Sequence, residues 1–414
     1  MEPRRGLGIV YWRLWSAASL SSLADGILKF ALPLIAVGLT RSPALIAGLA
    51  FAFTVPWLLF ALPAGALADR LDRRRLMLTA NCVRAALLAG LLLATVTGWG
   101  SIWALYVVAF GVGTAETVYD TSAQSIVPQV VGPDQLSRAN GRMYGAELTA
   151  NEFVGPPLAG FLVAAGAALA FSVPLGLWAV AIAALLLVRG RFRVERPPST
   201  LRADIAEGLR FLWRNRLLRT FSVMVGVFNF ATQATFSILV LYAVGPGSAM
   251  GMSAQAFGFL ITTIAAGSLI GSFAAEWIER RFGRAKTLAV SLVVNAALVG
   301  IPAVTANPYV IGACFFLGGV ALIVSNVAMV SLRQRITPAR LLGRVNSGHR
   351  LAAWGTRPLG AVAGGVLAQL LGLRAVFALM ALLVLALLLA MRVVTERTIA
   401  AAEADAGLVS GAAG

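Results

Sequence analysis

The sequence predicts an all-α polytopic membrane protein, with about twelve transmembrane helices in two six-helix bundles and both termini cytoplasmic. Three observations carry that expectation. The 414 residues are 59% hydrophobic and only 12% charged, with a mean hydropathy of +0.84; a soluble chain of this length has no core large enough to hide that surface. The apolar residues fall into membrane-length runs. Arginines crowd every second gap between those runs: Arg70, Arg73, Arg74 and Arg75; Arg138 and Arg142; Arg189, Arg191, Arg193 and Arg196; Arg280, Arg281, Arg284 and Lys286; Arg333, Arg335, Arg340 and Arg344. The alternate gaps hold Arg41 and Arg374 and otherwise no basic residue. Short loops rich in Lys and Arg stay in the cytoplasm, so the alternation sets orientation as well as class.

The elements follow in order. A helix needs about 20 apolar residues to cross the hydrocarbon core. Such spans start near Arg13, Ala44, Leu76, Ser101, Asn140 and Ala168, and again near Leu218, Ala254, Thr287, Pro308, Gly348 and Arg374. The first run lacks a small-residue cleavage site and is long enough to span, so it reads as a helix and not as a removed signal. Residues 221–275 and 287–332 are uncharged and too long for one crossing. Gly245-Pro246-Gly247-Ser248 and Ala306-Asn307-Pro308 break them into hairpins.

The interval between the sixth and seventh spans differs in kind. Pro197-Pro198 stiffen it, and Ser199 or Thr200 caps a helix whose Leu201, Ile205, Leu209, Leu212 and Trp213 share one face. That pattern suits an amphipathic helix on the inner membrane surface. The expected organisation is a bundle over 1–189, a cytoplasmic linker over 190–217, a second bundle over 218–398 and a disordered tail over 399–414. Two halves of about six spans are the build of a transporter made from repeats.

The +17 net charge would suggest nucleic acid in a soluble protein. Here topology explains it, so the expected partners are the lipid bilayer, a small molecule and protons, with no nucleic acid and a monomeric protein. Cys82 and Cys314 lie far apart in apolar runs, and His349 has no cysteine or histidine neighbour. No metal and no cofactor are expected, and without a G-x-x-x-x-G-K-[ST] loop ATP is not the energy source. An enzyme would need a nucleophile, metal cluster or acid–base set near an interface, which the scattered carboxylates do not supply.

The halves echo each other. Gly65-Ala66-Leu67-Ala68-Asp69-Arg70-Leu71-Asp72-Arg73-Arg74 follows the second span, and Arg280-Arg281-Phe282-Gly283-Arg284 follows the eighth. Leu136-Ser137-Arg138-Ala139-Asn140 has a partner in Leu342-Gly343-Arg344-Val345-Asn346. At these residues the chain resembles the major facilitator superfamily, whose loop pattern G-x-x-x-D-R-x-G-R-R is matched at Gly65, Asp69, Arg70, Arg73 and Arg74, with Asp72 in place of glycine. That departure, with Asp25 and the string from Ile126-Val127-Pro128 to Ala139-Asn140, is similar to the branch of enterobactin exporters and macrolide efflux pumps. The resemblance implies a charge network in the loop motif, Asp69 towards helix eleven and Arg73 towards an acid in helix four. Gly155-Pro156, with Gly160, is similar to the antiporter pattern G-x-x-x-G-P-x-x-G-G, although Asn151 and Ala159 replace two glycines. The family's helix-four arginine would fall near Ala109 and is missing.

Ionisable groups at membrane depth call for an explanation. Asp25 and Lys29 stand one turn apart in the first span, either as a mutually neutralised pair or as a functional one. Glu116 and Asp120 stand one turn apart in the fourth. Two acids that close resist double ionisation, so Glu116 is the preferred proton carrier and Asp120 the preferred gate acid, with a proton role also open to it. Glu147 and Glu152 read as structural partners for Arg84 or Arg357. By the resemblance, helices one, four, seven and ten line the cavity. That assigns to it Lys29, Asn229, Gln233 and Phe236, with Ser325 and Asn326, the amides serving either a ligand or helix packing. The expected function is a secondary exporter in the cell inner membrane, exchanging protons for a drug-like compound, secondary metabolite or siderophore. A lysophospholipid flippase or nutrient importer of the same fold, or a non-transporting sensor, are the alternatives.

Overall fold

The computed structural model describes residues 7–132, 135–190, 192, 201–338 and 341–411. Among the described residues sixteen α-helices follow one another: α1 Gly8–Leu39, α2 Pro43–Arg70, α3 Arg73–Val96, α4 Ile102–Val130, α5 Leu136–Leu148, α6 Gly155–Ala165, α7 Ala167–Leu186, α8 Leu201–Arg214, α9 Arg216–Ala243, α10 Ala254–Phe282, α11 Arg284–Val304, α12 Pro308–Ile336, α13 Leu342–Trp354, α14 Thr356–Leu371, α15 Leu373–Ala386 and α16 Glu396–Gly411. Ten helices among the described residues are long and apolar enough to span a bilayer. The interrupted pairs α5–α6 and α13–α14 bring the set to twelve, and they stand fifth and eleventh, the same place in each half. The breaks have local causes. A π-helical turn, Thr149–Val154, precedes Gly155-Pro156, and Gly355 precedes Thr356-Arg357-Pro358. Proline withholds an N–H and crowds the preceding turn, so the helix re-registers there.

The chain divides into two compact units, residues 1–197 with 243–262, and residues 198–242 with 263–414. In the first unit, glycines let helix backbones touch. A Cβ on Gly155 would stand 2.8 Å from the backbone of Gly26, and one on Gly26 would stand 2.8 Å from the Ala150 carbonyl oxygen. A Cβ on Gly160 would lie 2.4 Å from the Ala254 carbonyl oxygen. Arg41 donates to the carbonyls of Val244 and Pro246 at 3.2 and 3.0 Å, tying the α9–α10 turn to this unit. The second unit repeats the device: a Cβ on Gly360 or Gly364 of α14 would lie 2.3 Å from a carbonyl oxygen of α9. Small residues at helix interfaces are how membrane bundles pack without a hydrophobic drive.

Two expectations, about the linker and about the tail, change. The amphipathic helix exists as α8, but it packs on α13: Leu212 is fully buried and the Leu209 backbone approaches Gly348. Its apolar face meets protein, and Trp213 remains half exposed. The side chains of Leu201 and Ile205 lie outside the described residues, as do residues 193–200 of the linker. The tail expected to be disordered over 399–414 instead carries α16 as far as Gly411. Its alanine-rich sequence favours helix, and its acids find basic partners. Glu403 takes Arg284 at 2.6 Å and Arg335 at 3.4 Å, while Glu396 accepts the Ala285 N–H at 2.7 Å, at the positive end of α11. Gly283, at φ +81°, makes the turn that starts α11 beside that carboxylate.

Candidate functional site: a buried ion pair, an acid cluster and a capped loop

α1 and α3 place Ser21, Asp25, Asn81 and Arg84 on facing stripes, each pair one turn apart along its own helix. Arg84 is fully buried and Asp25 is 6% exposed. Arg84 Nη1 donates to Asp25 Oδ2 at 3.1 Å, to Ser21 Oγ at 3.1 Å and to Asn81 Oδ1 at 3.3 Å. Its guanidinium lies 4.9 Å from the Tyr119 ring centroid on α4 and 5.8 Å from that of Trp178 on α7. Four helices therefore converge on one cation. The flat, delocalised charge of arginine suits this setting, because its faces accept rings while its edge donates.

The ion pair corrects the reading of neighbours on one helix: Asp25 pairs with Arg84, and Lys29 reaches Glu152 at 3.9 Å. Side chains four apart on α1 share a face, but an arginine arriving from α3 with a five-donor guanidinium outcompetes a lysine whose side chain is 49% exposed. Arg357, the other proposed partner for the helix-five acids, stacks on Trp354 at 4.4 Å.

Around the pair stand more acids than bases. The charges acting on Asp25 are Arg84, Glu116, Glu147 and Lys29. Those acting on Asp120 are Glu116, Arg84, Asp25 and Glu147. Asp120 thus stands with the membrane-depth acids Glu116 and Asp25. Arg73, 5% exposed, donates to the carbonyls of Ala68 at 3.2 Å and Ser125 at 2.7 Å.

The loop motif works as a set of helix caps. Asp72, the residue that departs from the family's glycine, is the N-cap of α3, accepting the Arg75 N–H at 3.0 Å and the Phe192 N–H at 2.8 Å. Arg74 donates to the carbonyls of Leu185 and Leu186, and Arg13 to that of Leu187, closing the C-terminal end of α7. Cations on exposed helix carbonyls complement both the unpaired acceptors and the negative end of the helix dipole. Arg70 is exposed, a Cβ on Gly65 would meet nothing within 4 Å, and the Asp69 side chain lies outside the described residues.

The cavity candidates of the second unit separate. Asn229 donates to the Ala353 carbonyl at 2.7 Å and so ties α9 to α13. Phe236 packs on Phe315, with ring centroids 5.5 Å apart. Gln233 is half-buried and Asn326 is exposed. Ser325 lines a cleft of about 340 Å³. Sequence reasoning missed Tyr119, Trp178 and Asn295 as site residues. Asn295 carried a signal, a lone amide in an uncharged run of helix, whereas Tyr119 and Trp178 carried none because aromatics are ordinary there.

Two halves of six spans, each with an interrupted fifth helix and ionisable groups at depth in the first, define a multi-pass membrane transporter of the major facilitator fold. Solved structures agree on that fold. The nucleoside transporter NupG superposes with a TM-score of 0.74 at 13% identity, over 93% of this chain and 98% of that one. A bacterial homologue of the iron transporter ferroportin, inward-facing, gives 0.71 at 18% identity, over 94% and 98%. The chain belongs to the transmembrane secretion effector family of the major facilitator superfamily, whose model matches residues 8–409. It is similar to the multidrug efflux pump Tap of Mycobacterium tuberculosis, 27% identical over 380 residues and 88% of each chain. It is also similar to the enterobactin exporter EntS of Salmonella choleraesuis, 26% identical over 286 residues, 68% of this chain and 67% of the exporter. The family is one of transporters and not of enzymes.

Proposed function

We propose that this protein exports an amphipathic organic compound from the cytoplasm across the cell inner membrane, with both termini cytoplasmic, driven by protons moving inward through the first unit. The observation that carries the reading is the charge imbalance around Arg84. Asp25, Glu116 and Asp120 act on one another around the buried cation Arg84. Carboxylates crowded about one guanidinium in a medium of low dielectric resist full ionisation, which suits a cluster that takes up and releases protons. Glu116 is the carrier of choice, because Asp25 is committed to Arg84.

The energetics suffice. One proton entering across 100 mV releases about 2.3 kcal/mol, which sustains a roughly fifty-fold gradient of a neutral substrate. Similarity to an efflux pump and to an exporter supports the outward direction and an organic cargo.

The test uses purified protein in liposomes with a trapped pH dye and a panel of lipophilic cations, macrolides and catecholate siderophores. One compound is expected to drive proton movement in the wild type and none in Glu116→Gln. Unchanged proton movement in Glu116→Gln overturns the assignment of the carrier. Substrate transport without any proton movement overturns the coupling.

A further inference from the structure

The turn between α10 and α11 gathers Arg280, Arg281, Arg284 and Lys286, and the nearby acids do not serve them all. Arg280 pairs with Glu276 one turn back on α10, and Arg284 pairs with Glu279 and Glu403. Arg281 and Lys286 are exposed and make no ion pair among the described residues. Both stand over one ring instead. Arg281 Cζ and Lys286 Nζ each lie 5.7 Å from the ring centroid of Phe282. That ring is half exposed and meets Trp277 edge-to-face, with centroids 6.2 Å apart. Two like charges held about one aromatic ring repel each other, a cost that a shared counterion removes.

Exposed apolar surface runs from both cations into the spans. On α10, Ile270, Phe273, Trp277 and Arg281 follow one another along a single face at helical spacing. Its three apolar members are more than half exposed, Phe273 at 82%. On α11, Lys286, Val290 and Val293 repeat the pattern, with both valines about half exposed. Gly283, at φ +81°, is the one residue between the two helices, so the two stripes start from the same point.

We propose that the α10–α11 turn binds an anionic phospholipid, with Arg281 and Lys286 holding its phosphate beside Phe282 and the two stripes taking its acyl chains. The unpaired cations call for an anion. The apolar stripes beneath them call for an anion that carries hydrocarbon, which a free phosphate does not. Trp277, between the charged turn and the apolar surface, is the side chain expected at headgroup level. A zwitterionic headgroup brings its own ammonium to a place already rich in cations, so a net negative lipid is favoured. The tail helix leaves the pair available, because Glu403 is engaged with Arg284 and Arg335 and Glu396 with the Ala285 N–H. The site needs a bilayer, and neither a proton gradient nor a transport direction.

The test places a bimane fluorophore on Val290→Cys, one turn from Lys286, in the full-length chain with Cys82→Ser and Cys314→Ser. Its quenching is read in vesicles containing phosphatidylglycerol or phosphatidylcholine brominated on the acyl chains. With all cations present, local association of phosphatidylglycerol is expected to exceed that of phosphatidylcholine roughly fivefold, the scale of one basic side chain at an anionic surface. Arg281→Gln with Lys286→Gln is expected to bring the two lipids within about twofold. Arg280→Gln with Arg397→Gln removes the same charge from two other exposed arginines and is expected to keep the preference. No preference in the parent chain, or a preference that survives without Arg281 and Lys286, overturns the proposal. So does an equal loss in the charge-matched control, which would mean a diffuse field and not a site. Glycerol phosphate, which has the anion without acyl chains, is expected to leave the quenching unchanged at millimolar level; displacement by it overturns the lipid as occupant. Should the double variant fail to fold, Phe282→Leu keeps both charges and is expected to lower the preference about twofold, and an unchanged preference overturns the site centred on that ring.

Discussion

Breaking the Asp25–Arg84 pair from either side should give two different penalties, because only one partner can lose its charge. The pair is buried on both sides, with Arg84 side chain exposure at 0% and Asp25 at 8%. Removing one member of such a pair costs about 3–5 kcal/mol through the charge left behind. In Asp25→Asn that orphan is a guanidinium, which stays protonated at every accessible pH. The loss should therefore be full and independent of pH, roughly 6–20 °C in melting temperature for a unit of this size. In Arg84→Leu the orphan is a carboxyl, which discharges by taking a proton. The contacts to Tyr119 and Trp178 go as well, at about 1 kcal/mol each. The folded variant then holds a proton that the unfolded chain releases near pH ~4, so its stability falls as pH rises, by up to about 1.4 kcal/mol per unit. Thermal unfolding in detergent, followed by tryptophan fluorescence from about pH 5 to about pH 8, reads both. Arg84→Leu should recover part of its loss at the acid end, short of the two aromatic contacts, and Asp25→Asn should recover none. A pH-independent Arg84→Leu, or an Asp25→Asn that melts with wild type, refutes the view that this pair is the charged centre of the first unit.

Other outcomes follow from the same geometry. Asp72→Ala removes the α3 cap and the Phe192 anchor and should cost about 1–2 kcal/mol in the same melting assay, whereas Asp72→Asn should retain most of the stability. Gly155→Val should fail to give folded protein, because its side chain would enter the backbone of Gly26, while Gly65→Ala should express and melt like wild type; size-exclusion profiles compare the two. Glu403→Gln should lower stability by no more than about 1 kcal/mol, its partners being partly solvated, and the melt should lose its dependence on salt at that site. Arg41→Ala removes two donors from the α9–α10 turn, and hydrogen exchange there should speed up relative to the α1 core.

The class of this protein was legible from one-dimensional signals. Span length, the alternation of arginines and the repeated Leu-x-Arg-x-Asn starts of the fifth and eleventh spans each depend on local sequence and on the bilayer, not on how helices meet. The break in the fifth span has a local signal at Gly155-Pro156, because proline acts on its own helix. Candidate acids could be named for the same reason: a charge in an apolar run is visible without its partner. The tail was misread because a short alanine-rich segment becomes a settled helix only through contacts such as Glu403 with Arg284, which lie over a hundred residues apart.

Partners were what the sequence could not fix. Spacing along α1 pairs Asp25 with Lys29, yet α3 delivers Arg84 with its three hydrogen bonds and its two aromatic faces. Asp120 reads as a loop partner by its position along α4, and it also stands with Glu116 and Arg84. Asn229 reads as a ligand and serves as a tie to Ala353, while Asn295, a lone amide in an uncharged run, lies against a cleft of the second unit. Sequence by itself determined which groups are buried in the membrane, since solvation is a property of each segment and its surroundings. Only the tertiary structure decided which of them meet, since a charge or amide takes whichever partner the packing of other helices brings within hydrogen-bond range.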